Sequence, residues 1–180
     1  AVDRQAYSHF YPKRMAAEVL LDSIDMVTGS KTEFADLPPG TRAISLPDNS
    51  YTRASPFLKV FGRPDNASVC ECERVQSASL AQSLHLMNAA DVKAKLTASG
   101  GRAELLTKSE QPEPKRVRDL YLAAFSREPT ADEVRVSESH IAKPRTDGGG
   151  KPLDSQRSRR NGYEDLLWAL MNTKEFLFNH

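Results

Sequence analysis

Cysteine is scarce in this chain of 180 residues: there are two, Cys70 and Cys72. A disulfide-stapled scaffold is thereby excluded, because a bridge two positions long closes a very small ring and stabilises little through loop entropy. Charge of one sign is lacking as well. Twenty-five lysines and arginines face 24 aspartates and glutamates, a formal charge of +1. No broad nucleic-acid surface is implied, since that needs a concentrated positive field. No apolar run approaches the length that spans a bilayer. The N-terminus has no basic segment followed by an apolar stretch and a small-residue cleavage site, so no signal peptide is visible. The first residue is Ala1, as expected of a processed mature chain or of a piece of a longer protein. There is no CxxCH haem-attachment motif. Gly148–Gly149–Gly150 is not followed by the Lys-Ser or Lys-Thr pair of a phosphate cradle, so it reads as a hinge or loop.

What is present suits one soluble domain with a real core. Hydrophobic residues make up 39% and charged residues 27%, enough of each to build an interior and a solvated surface. Apolar spacing predicts a helix over 12–27, with Met15, Val19, Leu20, Ile24 and Val27 as its stripe, Pro12 in its first turn and Gly29 beyond its end. Residues 30–60 hold five of the prolines and glycines between Pro38 and Pro56 and read as an irregular excursion, with a short strand at 41–46. A helical region follows over 79–96, opened by a Ser79/Gln82 capping box and interrupted near Ala89 and Ala90. Val117, Leu120, Tyr121, Ala124 and Phe125 recur on one face of a helix over 115–125. Thr130 and Glu133 make a second capping box for a helix over 130–141. The stretch 143–161 reads as a flexible loop, and 163–176 as a final helix whose core face is Leu166, Leu167, Leu170 and Met171. The fold class expected is mainly α: a compact helical domain, 1–180, with a proline-rich irregular excursion.

Chemistry-bearing residues concentrate in Phe61–Arg74. Arg63, Cys70, Glu71, Cys72, Glu73 and Arg74 form the candidate cluster. Three readings of it stay open. The thiols are structural and the glutamates and arginines pair through the planar guanidinium fork. Alternatively the thiols form a disulfide or perform redox exchange, although Glu71 and Glu73 oppose a thiolate. Or they ligate a soft ion, for which a closed site normally needs four ligands. The preferred assignment is metal-free, with no cofactor.

Several phrases together resemble one family. They are YPKRMAAEVLLDSIDMVTG at 11–29, FGRPDNASVCECER at 61–74, SLAQSLHLMNAADVKAKL at 79–96, LYLAAFSREPTADEV at 120–134 and YEDLLWALMNTKEFLFNH at 163–180. Long, unlike motifs in this order resemble the C-terminal region of the planctomycete domain of unknown function 1553, the PSD-type domain. The resemblance implies the C-terminal portion of a larger exported protein, periplasmic or at the cell surface, with neighbouring domains that sometimes include a cytochrome-c-like module. It implies no catalytic residues.

Other candidates carry plainer readings. His85 sits among Leu84, Leu86 and Met87 as a helix-edge histidine. His9 adjoins Phe10 and Tyr11, where local packing suits it. His140 falls near a helix C-terminus, where a positive form is favoured. Glu18, Asp22 and Asp25 share a helix and are expected to face solvent rather than to form a glycosidase pair, which needs a set separation around a sugar. Lys151, Arg157, Arg159 and Arg160 read as a solvated charge run. The function expected is a noncatalytic structural or interaction domain whose partners are other domains of the same precursor, with a protein or glycan as further candidate. The alternative is an accessory module of a carbohydrate-processing or cytochrome-linked redox enzyme.

Overall fold

The computed structural model describes residues 13–48, 50–64, 82, 85–86 and 89–179. It is mainly α-helical. In chain order the described elements are β1 (Lys13–Arg14), α1 (Ala17–Thr28), a 3-10 turn (Ala43–Ser45), α2 (Ser50–Ala54), α3 (Pro56–Val60), α4 (Ala90–Leu96), α5 (Arg102–Lys108), α6 (Glu113–Phe125), α7 (Ala131–Ile141), α8 (Ser155–Met171), α9 (Lys174–Leu177) and β2 (Phe178–Asn179).

α1 is the hub. Leu20, Ile24 and Val27 are fully buried and Ala17 and Leu21 nearly so, which is the spacing of one helical face. That face meets the 3-10 turn, α3, α4, α5, α6 and α8. Val19, expected in the stripe, is instead 38% exposed; Leu21 takes its place. Gly29 ends the helix in the left-handed region, at φ 69°, where a side chain is strained. The start differs from the expected residue 12. Lys13 and Arg14 pair antiparallel with Asn179 and Phe178, and Met15 N–H donates to the Leu177 carbonyl at 3.0 Å. Those backbone groups serve the other end of the chain, so the helix opens only at Ala17.

The excursion at 30–60 contains more regular structure than its prolines suggest. The expected strand at 41–46 is a 3-10 turn. Its cause is Asp22, whose carboxylate accepts N–H groups from Ala43 at 2.7 Å and Ile44 at 3.1 Å, gathering the backbone into a turn. Pro56 then serves as the first residue of α3, and the Ser55 hydroxyl accepts from Leu58 N–H.

Ala89 is extended and α4 begins at Ala90, which is the expected interruption. Ser79, Leu80, Leu84 and Met87 lie outside the described residues; Leu86 is buried. The helix α5 was not expected. α4 ends at Leu96 with Thr97 as its C-cap, and after a short turn Gly101 stands at the N-cap of α5. A Cβ at Gly101 would meet the Ala98 carbonyl oxygen at 2.9 Å and the Thr28 carbonyl oxygen at 3.2 Å, so glycine is what fits this turn against the end of α1.

α6 and α7 follow the expected pattern, including both hydrogen bonds of the Thr130–Glu133 capping box. Arg116, although charged, is 6% exposed. The stretch 143–161 departs from the loop expected. Thr146 bridges Pro152, and Asp147 accepts N–H groups from Gly149 and Lys151. Asp154 then caps α8 by accepting from Arg157 N–H at 2.8 Å, so the helix starts eight residues before Tyr163 (163 − 155 = 8). Its first turns dock because Gly162 lets it touch α7: a Cβ there would lie 2.9 Å from Ile141 Cα. The final helix is also split, since Thr173 caps α9 by accepting from Phe176 N–H.

Candidate functional site beside Arg63

The short helix α3 ends in a Schellman cap. Gly62, at φ 82°, donates its N–H to the Lys59 carbonyl, and Arg63 donates its N–H to the Leu58 carbonyl at 3.0 Å. This geometry satisfies the last carbonyls of the helix and requires a residue tolerant of positive φ. It gives the Phe61–Gly62–Arg63 phrase a physical meaning: the cap reverses the chain and sends Arg63 back towards α1.

Arg63 there meets Glu18. Its Nε lies 3.1 Å from Glu18 Oε1, and both side chains are almost wholly buried. Nη2 donates to the Asp48 carbonyl at 3.0 Å, while Nη1 is buried with no hydrogen-bond partner among the described residues. Arg14 approaches from β1. It donates to the Phe61 carbonyl at 2.8 Å, and its guanidinium sits 5.3 Å from the Phe61 ring centroid. Burial lowers the pKa of Arg14. The rings of Phe57 and Phe61 stack at 4.3 Å. His85 meets both edge-on and places Nε2 3.3 Å from Asp91 Oδ2. The Gln82 amide donates to the Val60 carbonyl. Two guanidiniums and a carboxylate are thus withdrawn from solvent, a setting in which partners attract strongly and an unpaired ion is costly.

Of the sequence-based cluster, Arg63 lies here. Cys70, Glu71, Cys72, Glu73 and Arg74 lie outside the described residues. Glu18 and Arg14 are the participants that the sequence did not single out. Glu18 had a signal, as one of three acids on a helix, but its partner is 45 positions away (63 − 18 = 45). The expectation that Glu18, Asp22 and Asp25 face solvent is corrected. Each ties α1 to a different segment. Asp25 accepts from Ser30 Oγ and from Thr32 N–H and pairs with Lys95.

A second buried knot joins α6 to α8. Arg116 pairs with Glu113 at 2.7 Å and donates to the Leu106 carbonyl. The Tyr163 hydroxyl donates to Glu113. Burial first, then this bond to a carboxylate, pushes the Tyr163 phenol well above its ordinary range. His140 Nε2 and Asp165 Oδ2 each lie 2.9 Å from Arg145 Nη2. Arg160 departs from the solvated charge run: it reaches Glu164, Glu104 and the Thr97 carbonyl. Lys151, Arg157 and Arg159 are exposed as expected. Among the described residues no group of three or more histidine, cysteine, aspartate or glutamate side chains is placed to hold a metal ion. No helix among them is long and apolar enough to cross a membrane.

Residues 1–141 match the family model of PSD1, protein of unknown function (DUF1553). The chain belongs to the PSD1 family. No curated protein and no solved structure matches it. The PSD1 match closes at the last residue of α7, yet the core continues past it: Tyr163, Leu167 and Met171 of α8 are fully buried.

Proposed function

We propose that this PSD1 domain is a noncatalytic structural or interaction module of a larger exported protein. The observation that carries this reading is the use made of the buried and half-buried charges. Glu18–Arg63, Asp25–Lys95, Glu113–Arg116–Tyr163 and Arg160 with Glu104 and Glu164 each join separate elements or close a helix. Asp22 spends both carboxylate oxygens on backbone N–H groups. A side chain held by two or three protein partners is committed to architecture, and moving a proton through it disrupts the fold. Export and the larger precursor rest on the family resemblance of the motifs quoted above.

The test is reconstitution in trans. The purified domain is mixed with the remainder of its precursor, and complex formation is followed by calorimetry alongside turnover assays of each part and of the mixture. Saturable association of the two parts, with no turnover by the domain, is the expected result. Reproducible turnover by the domain alone, lost on substituting a described residue, overturns the reading.

A further inference from the structure

We draw no further inference here: the strongest candidate, the cleft of about 830 Å³ between the 30–36 segment, α2 and α4, walled by Phe34 and Tyr51, has its Lys95 already held by Asp25 and Thr32 and carries both signs of charge in its exposed Lys31, Glu33 and Asp36, so nothing in the structure selects what would occupy it.

Discussion

Arg63 and Arg116 have nearly the same surroundings and different origins. Both are buried, both face a glutamate and a backbone carbonyl, and each keeps one buried nitrogen without a hydrogen-bond partner among the described residues. Arg116 finds Glu113 three positions earlier on the same helix, where one helical turn brings them together. Arg63 finds Glu18 across the fold, and only because Gly62 permits the Schellman cap that turns it round. A local pair forms with its helix. A non-local pair forms only when α1 and α3 are both in place, so it reports on their assembly.

Removing one partner of the non-local pair should have the largest effect. Glu18→Ala leaves Arg63 charged and buried, and the loss of stability expected is about 3–5 kcal/mol. Equilibrium unfolding in urea measures it. Replacing both residues by methionine should cost clearly less than Glu18→Ala alone, because no uncompensated ion remains. A double variant as unstable as the sum of the single ones would show that the two side chains do not act as a pair.

Next comes the packing on which the Arg116 side depends. Leu120 is fully buried in α6, and Leu120→Ala should destabilise by about 2–5 kcal/mol. Gly162→Val should cost about 1–3 kcal/mol by overpacking against the α7 backbone. Thermal unfolding that leaves Gly162→Val unchanged would mean that α7 and α8 separate freely.

A smaller effect should appear on acidification. The Arg127 guanidinium, then the Thr130 backbone and hydroxyl, hold the Glu133 carboxyl down to about 2 from its ordinary 4.5. A depressed carboxylate stabilises the fold above its ordinary value, and that contribution fades as pH falls from about 4.5 towards 2. Glu133→Gln should therefore flatten the stability profile in that window, and parallel profiles for the two proteins would contradict the assignment. The smallest effect belongs to Arg135→Ala. Its pair with Asp132 is exposed on both sides, and exposed pairs contribute little. Unfolding midpoints should coincide within error.

The helices α6 and α7 were legible because their information is local. Val117, Leu120 and Tyr121 recur at helical spacing, and Thr130 with Glu133 completes a capping box within four residues. The left-handed end at Gly29 and the break at Ala89 were legible for the same reason. The early start of α8 was hidden by Arg157, Arg159 and Arg160, whose charges resemble a loop until Gly162 is seen to admit the Ile141 backbone. Arg63 was visible as part of a charged motif, while Glu18 was visible only as an acid on a helix.

The sequence by itself determined a mainly helical fold, most of the core faces and the family, because periodicity, caps and contiguous motifs act over a few residues. Only the tertiary structure decided where the charges go. It turned three carboxylates of α1 inward, joined β1 to β2 at opposite ends of the described chain and packed α8 against α7 at Gly162. Those outcomes depend on distances between residues far apart in sequence, and no local pattern fixes such distances.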